Sequence, residues 1–182
     1  MDKYLSLLRG INVSGQKIIK MNDLKAMYLR MGLTDVITYI QSGNVVFSYK
    51  KNKSIDPALK SLIETAIQEQ FGFFVPVEIR SRKEMAKIIE RSPFDPDLVK
   101  AAGNKYYLTF LATTPSKTCV TDIQQYVAES ETLHIKGKEA YFFCPDGYGR
   151  TKLTNNVMEK KLQTTATTRN WKTITKLFEL LQ

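Results

Sequence analysis

A polar loop with the composition of an anion-binding segment follows the first apolar run of the chain. Its sequence, RGINVSGQK, contains two glycines, a serine, an asparagine and two cations between a predicted strand and a predicted helix. Such a loop can present backbone N–H groups to an anion, while its cations add positive charge. It lacks the GxxxxGK[ST] and GxGxxG spacings of nucleotide-binding loops, and a plain turn with glycines for its geometry is an equal alternative. The predicted anion-binding residues of this loop are Arg9, Gly10, Asn12, Gly15 and Lys17.

Two further polar runs lie at predicted helix starts near the end of the chain. GYGRTK and TTRNW each place an arginine and hydroxyl groups beside a helix N-terminus. The positive end of the helix dipole disfavours a cation there unless an anion or a carboxylate offsets it. The residues predicted to bind an anion in these runs are Arg150, Lys152, Thr168, Arg169 and Asn170.

We expect four of these cations to converge on one concave, electropositive region: Arg9, Arg150, Lys152 and Arg169. The alternative is that each cation has a private acidic partner, such as Asp146 or Glu159, and that the four lie on unrelated surfaces. Groups more than about 20 Å apart could not share one small anion at physiological salt.

The charge of the chain favours an acidic partner. The formal net charge is +9, and residues 150–176 carry seven cations against one carboxylate. A basic excess of this kind is typical of proteins that bind nucleic acid, nucleotides or other anions. The alternative is a solvated surface without any anionic partner.

Few residues offer conventional catalytic or metal chemistry. His134 is the one histidine, and Cys119 and Cys144 lie far apart in no zinc-binding or CxxC spacing. We therefore predict two reduced, buried thiols, no metal and no cofactor. An enzyme acting on a phosphorylated or nucleotide substrate, with Arg9, Lys152 and Arg169 holding phosphate, is an alternative that lacks a credible general base, so no catalytic residue is predicted.

The elements that must position these residues occur in the same order twice. Residues 3–91 and 106–181 each predict strand, helix, strand, strand, helix, strand, helix. A repeated βαββαβ order predicts an α+β fold of internally duplicated ferredoxin-like units, with two antiparallel-rich sheets covered by helices. The predicted subdomains are residues 1–93 and 106–182, joined by a connector at 94–105.

Turn and cap signals mark the ends of these elements. Two-residue hairpin turns are predicted at Ser42-Gly43 and at Gly137-Lys138. Strands are predicted at residues 4–9, 36–41, 44–49, 74–79, 106–112, 131–136, 139–144 and 164–168. Helix caps are predicted at Asn22, Asp56, Ser81 (with Glu84), Ser116 or Thr118, Thr151, and Asn170 or Thr168.

The predicted strands are apolar on both faces, so both faces need cover. We expect Phe47, Tyr49, Tyr107 and Phe142 or Phe143 to be mostly buried. The alternative is an exposed aromatic platform that stacks on the bases of RNA.

Four runs in the order LLRGINVSG, TYIQSGNVVF, GRTKLTNN and TTRNW resemble the motifs of a widespread bacterial family classed as a domain of unknown function. The resemblance implies paired ferredoxin-like subdomains and no established activity. The chain departs from the usual LRGINVGG motif at Ser14. If a ligand lies against the bare backbone there, the serine side chain would leave it less room. The motif positions are Arg9, Gly10, Asn12, Gly15, Ser42, Gly43, Asn44, Arg150, Lys152, Leu153, Thr168, Arg169, Asn170 and Trp171.

Taken together, these features predict a soluble cytoplasmic protein that binds nucleic acid or a phosphate-bearing small molecule at a basic surface. No apolar stretch is long enough to span a membrane, and the N-terminus lacks the apolar region of a signal peptide. We therefore expect no membrane partner. The remaining alternative is a structural or protein-binding module without a small ligand.

Overall fold

The computed structural model describes residues 2–49 and 57–182, and these residues form eight strands and seven α-helices. The strands are Asp2–Leu8 (β1), Thr34–Tyr39 (β2), Asn44–Tyr49 (β3), Val77–Ser81 (β4), Tyr106–Leu111 (β5), Thr132–Lys136 (β6), Glu139–Phe143 (β7) and Ala166–Asn170 (β8). The helices are Met21–Arg30 (α1), Pro57–Phe71 (α2), Arg82–Glu90 (α3), Pro96–Ala102 (α4), Lys117–Ile123 (α5), Asn155–Leu162 (α6) and Trp171–Leu180 (α7). The predicted cap Asp56 lies outside the described residues.

The strands form two four-stranded sheets with the same topology. The first has the order β2-β3-β1-β4 and the second the order β6-β7-β5-β8. Neighbouring strands are antiparallel in both sheets. The order is that of a ferredoxin-like βαββαβ unit, so the predicted α+β fold with an internal duplication is confirmed.

The duplication extends to individual residue pairs. On the central strand of the first sheet Tyr4 pairs with Phe47, and in the second sheet Tyr107 pairs with Phe142. The rings stack in both cases, with centroids 6.0 Å and 5.2 Å apart. Such cross-strand aromatic pairs stabilise neighbouring strands, and here they occupy equivalent places in the two repeats.

The chain divides into two compact units. Unit 1 consists of Met1–Lys87 with Leu177–Gln182, and unit 2 is Ile88–Lys176. The predicted subdomain limits, 1–93 and 106–182, follow the repeated element order and stay a prediction. The predicted connector, residues 94–105, contains the helix α4, whose cap Asp95 accepts a hydrogen bond from the Asp97 N–H.

The core of unit 1 lies between the first sheet and its helices. In α1 the buried residues Leu24, Met27 and Tyr28 follow the spacing of one helix face, and Gly32, at φ +81°, ends the turn after the helix. The Tyr28 ring meets Phe47 edge-on, with centroids 5.6 Å apart. The buried residues recur at helical spacing, so one face of α1 packs on the sheet.

The core of unit 2 has an equivalent arrangement. One cluster of its buried apolar residues comes from the second sheet, from α5 and α6 and from the segment before α6, and consists of Tyr107, Leu111, Ile123, Leu133, Ala140, Phe142, Cys144, Leu153, Met158, Leu162 and Ala166. The aromatic strand residues are covered as predicted. Phe47, Tyr107 and Phe142 are buried, and Tyr49 and Phe143 are half-buried. These rings do not form an exposed platform for RNA bases.

The first hairpin differs from the prediction. Tyr39 pairs with Asn44, so four residues, 40–43, connect β2 and β3 instead of the pair Ser42-Gly43. Ile40 has φ +49°, which ends β2 before the predicted limit. The buried Asn44 side chain then closes the turn by donating to the Tyr39 carbonyl over 2.9 Å. The second hairpin has the predicted two-residue turn, with Gly137 at φ +66°.

Two predicted caps were wrong. Helix α1 begins at Met21 after Lys20, which makes no side-chain cap, so Asn22 lies inside the helix. Helix α6 is capped by Thr154, whose hydroxyl accepts from the Val157 N–H. Thr151 instead accepts from the Leu153 N–H one turn earlier. The cap was predicted three residues too early because Leu153 is buried before the helix begins. It therefore extends the apolar pattern of the helix towards the N-terminus.

Other terminal signals were confirmed. Ser81 and Glu84 form the reciprocal capping box of α3, Ser116 caps α5, and Asn170 caps α7 by accepting from the Thr173 N–H. Two strands begin later than predicted. In β4, Pro76 has no N–H to donate, so pairing starts at Val77. In β8, pairing with β5 starts at Ala166.

Candidate anion-binding surfaces

Three loops of unit 1 meet at one end of the first sheet. Because β1 and β2 finish there and β3 and β4 start there, the end carries residues 9–20, 40–43 and 72–76. The Leu8 N–H donates to the Gly43 carbonyl over 2.8 Å, and the Arg9 N–H to the Pro76 carbonyl over 2.9 Å. We refer to these three loops as the loop end of unit 1.

Asn12 holds the β1–α1 loop in shape. Its side-chain oxygen accepts from the Ile19 N–H over 2.8 Å, and its amide nitrogen donates to the carbonyl oxygens of Ile19 at 2.9 Å and Gln41 at 2.8 Å. Its backbone has φ +54°, a conformation that asparagine tolerates better than most residues. Asn12 therefore closes the loop on itself and ties it to the first hairpin.

The family-like motif around Ser14 forms a tight turn. The Gln16 N–H donates to the Val13 carbonyl over 2.9 Å, with φ +49° at Ser14 and +73° at Gly15. Positive φ at both central residues defines a type I′ turn, which favours glycine or asparagine. The two-glycine pattern of the family therefore has a conformational explanation here, and Ser14 stands exposed at the tip of the loop.

The sequences of the three loops contain cations and no carboxylate. Arg9 and Lys17 are half-buried and Lys20 is exposed, and the three loops contain neither aspartate nor glutamate. Glu64, on α2, accepts from the Val77 N–H at the start of β4. The Lys17 ammonium donates to the Phe74 carbonyl over 2.7 Å.

The β1–α1 loop offers fewer backbone N–H donors to an anion than the sequence suggested. The N–H groups of Arg9, Asn12, Gln16 and Ile19 donate to protein acceptors. Positive charge at this end therefore comes chiefly from the side chains. All five predicted residues of the loop, Arg9, Gly10, Asn12, Gly15 and Lys17, lie at the loop end of unit 1.

In unit 2 a chain of hydrogen bonds joins the two C-terminal motifs. The Thr168 hydroxyl donates to Asn155 Oδ1 over 2.6 Å and lies 2.7 Å from the hydroxyl of Thr109. The Asn155 N–H donates to the Tyr148 hydroxyl over 2.9 Å. Tyr148 in turn donates its backbone N–H to the hydroxyl of Tyr107 over 3.2 Å. Thr168 is therefore part of an internal network that positions α6 on the sheet.

Arg169 lies inside the fold. It is 7% exposed, and its Nη1 donates to the Thr167 hydroxyl over 2.9 Å and to the Thr168 carbonyl over 2.8 Å. Burial lowers the pKa of its guanidinium to about 10. Asn170 is half-buried as the cap of α7. Of the five residues predicted in unit 2, Arg150 and Lys152 are therefore the two that stand exposed.

A second buried arginine was missed in the sequence. Arg80 pairs with Leu5 across the sheet as Arg169 pairs with Leu108, so the two occupy equivalent places. Its Nη1 donates to Glu78 over 3.1 Å, and Glu78 also accepts from Lys60 over 2.8 Å. Thr167 stands at the position of Glu78. The repeat could have revealed this equivalence in the sequence, because EIRS and TTRN lie in the last strands of their units and each directly precedes a helix, α3 and α7.

The cysteines differ in access to solvent. Cys144 is buried in the core of unit 2, and Cys119 is half-buried. Burial raises the pKa of the Cys144 thiol to about 12, which keeps it protonated at neutral pH. Because the thiolate is the nucleophile, Cys144 lacks the environment of a catalytic cysteine.

We expect native protein treated with dithiodipyridine near neutral pH to lose the Cys119 thiol rapidly and the Cys144 thiol only on unfolding. In a Cys119→Ser variant the remaining Cys144 thiol should not react until denaturant is added, as measured by thiopyridone absorbance.

The same burial makes the stability of the protein depend on pH. Since the pKa of the Cys144 thiol is higher in the folded protein than in the unfolded chain, the folded protein keeps the thiol proton between about pH 9 and 12, where the unfolded chain has lost it. The free energy of unfolding should therefore fall as the pH rises through this window. Rapid native modification of Cys144 would contradict the buried site.

No helix in the part of the chain that the structure describes is long and apolar enough to cross a membrane. Among residues 2–49 and 57–182, no group of three or more histidine, cysteine, aspartate or glutamate side chains is arranged to hold a metal ion.

The fold places the protein in the α+β class, with two ferredoxin-like units. Residues 1–141 match the profile of the family described as "Protein of unknown function (DUF1697)", and the chain therefore belongs to that family. The matched residues include the LLRGINVSG and TYIQSGNVVF runs, while GRTKLTNN and TTRNW lie beyond them.

A solved structure of the conserved bacterial protein SP0830 from Streptococcus pneumoniae is similar to the chain. The similarity covers 100% of this chain and 99% of that chain, with a TM-score of 0.75 and 23% sequence identity. At this identity the likeness supports the fold alone. No curated protein matches the chain.

Proposed function

We propose that the protein binds an anionic ligand, either nucleic acid or a phosphate-bearing small molecule, at the loop end of unit 1. The observation that carries the proposal is the concentration of Arg9, Lys17 and Lys20 in the β1–α1 loop, which is hydrogen-bonded to the other two loops of this end; none of the three loops contains a carboxylate. Like charges held close together repel one another, and a bound anion offsets that repulsion. The geometry favours side-chain cations over a backbone cradle, because four loop N–H groups already have acceptors in the protein.

The hydrogen bond from Lys17 supports this proposal. An ammonium group has three donors, and the Phe74 carbonyl takes one of them. The side chain is therefore directed by the fold while donors remain for an anion. Such pre-ordering reduces the conformational entropy that ligand binding would otherwise cost.

Unit 2 offers a second basic surface in the segment before α6. Arg150 and Lys152 are exposed there, next to the turn that carries Tyr148. Arg169 is buried and does not belong to this exposed group. That Arg9, Arg150, Lys152 and Arg169 share one site stays a prediction.

We expect a Lys17→Gln/Lys20→Gln variant to bind a fluorescein-labelled single-stranded oligonucleotide more weakly than the wild type. Three contacts to a single strand give a salt slope of about 2, or roughly a 20-fold loss of affinity between about 50 and 200 mM salt, and removing two should cut that slope to about a third. Fluorescence anisotropy at several salt concentrations measures both quantities. Heparin retention provides a second, sequence-independent readout.

The matched control is Lys83→Gln/Lys87→Gln, which removes two exposed charges from α3. An equal loss in this control would show a non-specific charge effect and overturn the site. A loss confined to Arg150→Gln/Lys152→Gln would move the binding surface to unit 2. If the wild type binds neither the oligonucleotide nor heparin, nucleic acid is excluded as the ligand of this surface.

A further inference from the structure

The loop end of unit 1 is unusually apolar for a set of surface loops. Eight large apolar side chains are exposed in the described part of the chain, and four of them belong to these loops. They come from all three loops, with exposed fractions of 58%, 58%, 50% and 52%, and are Val13, Ile18, Ile40 and Phe74. Single exposed apolar residues are ordinary, whereas a concentration at one place marks a binding surface.

Exposed apolar residues and cations occur together in the β1–α1 loop. Val13 lies four residues before Lys17, Ile18 follows Lys17 directly, and Lys20 follows two residues after Ile18. Asn12 bonds this loop to the Gln41 carbonyl, next to Ile40, and Lys17 bonds it to Phe74. The hydrogen bonds therefore keep all four apolar residues and the cations at the same end of the sheet.

A partner that fits this surface must be both anionic and able to cover apolar groups. A simple phosphate compound satisfies the cations and leaves the apolar side chains in water. Duplex nucleic acid presents its phosphates and hides the faces of its bases. A single strand presents phosphates and unstacked base faces together, and aromatic side chains stack on such bases with little sequence preference.

We propose that the loop end of unit 1 binds single-stranded nucleic acid, with a base stacked on Phe74 and neighbouring phosphates held by Arg9, Lys17 and Lys20. This inference rests on the proposed function, because it names the class of anion that the same site takes. The 2.7 Å hydrogen bond between the Lys17 ammonium and the Phe74 carbonyl places one cation beside the stacking residue. Val13, Ile18 and Ile40 then cover adjoining base or sugar surface.

The test compares a labelled twelve-residue oligodeoxythymidine with an abasic oligomer of the same length and charge, at about 50 mM salt. We expect the full-length protein to bind the oligomer with bases about tenfold more tightly, since stacking of one or two bases has an effect of that order. Phe74→Ala should abolish most of this preference and leave abasic binding unchanged. Leu29→Ala, which removes an apolar side chain that is 48% exposed on α1, is the matched control and should leave both affinities unchanged.

Each result discriminates between the proposals. Equal binding of the two oligomers overturns the stacking inference and leaves the anionic-ligand proposal standing. Binding of neither oligomer overturns the inference and excludes single-stranded nucleic acid from the proposed function. Binding to vesicles of phosphatidylserine and phosphatidylcholine without binding to the oligomers would assign the surface to a lipid bilayer and overturn the inference. Should Phe74→Ala melt early, Ile18→Ser, at a residue that is 58% exposed, should weaken binding of the oligomer with bases by removing apolar contact with a base or sugar.

Discussion

Replacing Gly43 with alanine is expected to lower the free energy of unfolding by about 1–4 kcal/mol after the loss of unfolded-state entropy is counted. The residue has φ +73°, which costs an L-residue about 1–2 kcal/mol. A β-carbon there would lie 2.7 Å from Leu8 Cβ and 2.8 Å from Ile11 Cδ1, and relieving that overlap costs about 1–3 kcal/mol more. Chemical denaturation followed by circular dichroism measures the change.

Gly15 provides a control with the same backbone conformation. It also has φ +73°, but an added β-carbon would meet nothing within 4 Å. Gly15→Ala should therefore show the conformational cost alone, about 1 kcal/mol after the loss of unfolded-state entropy is counted. Equal destabilisation by the two substitutions would contradict the close packing of Gly43 on β1 and its following loop.

Asn12→Ala is expected to destabilise the protein by about 2–4 kcal/mol. The substitution removes three hydrogen bonds and leaves the Ile19 N–H without its acceptor in a half-buried loop. Asn12→Asp should be intermediate, because it keeps the oxygen that accepts from Ile19 and loses the donor to Ile19 and Gln41. Thermal and denaturant unfolding of the three proteins give the order.

Asn22→Ala is the comparison for this series. Asn22 is exposed within the first turn of α1, where the sequence suggested a helix cap. Since no side chain caps that helix, the change should stay within about 0.5 kcal/mol. A loss near 1 kcal/mol, as expected for a true cap, would show that Asn22 does satisfy the helix N-terminus in solution.

The motif positions illustrate which inferences a sequence supports. LLRGINVSG and the first hairpin turn contact each other through Asn12 and Gly43, and the two C-terminal motifs meet through Asn155 and Thr168. Their position at element ends suggested a ligand. The structure gives several of these residues a definite role in joining loops, and the proposed anion binding depends chiefly on Arg9 and Lys17 in unit 1 or on Arg150 and Lys152 in unit 2.

Burial separated residues that were alike in the sequence. Arg150 and Arg169 each stand near a helix start, yet Arg150 is exposed and Arg169 is enclosed by β8 and its neighbours. The β8 register decides this, because Arg169 shares a face with Thr167 and pairs with Leu108. One residue of register shift would have turned its side chain to the other face of the sheet.

Local sequence determined the repeated βαββαβ order, the buried helix faces, the capping box at Ser81 and the turn at Gly137, because each depends on periodicity or on residues within one turn of one another. The position of the α6 cap at Thr154 instead of Thr151 depends on the burial of Leu153 before the helix, and the bond from Asn12 to the Gln41 carbonyl joins segments 29 residues apart. The apolar surface of Val13, Ile18, Ile40 and Phe74 arises in the same way. Three loops remote in sequence form it only because antiparallel pairing places their strand ends together.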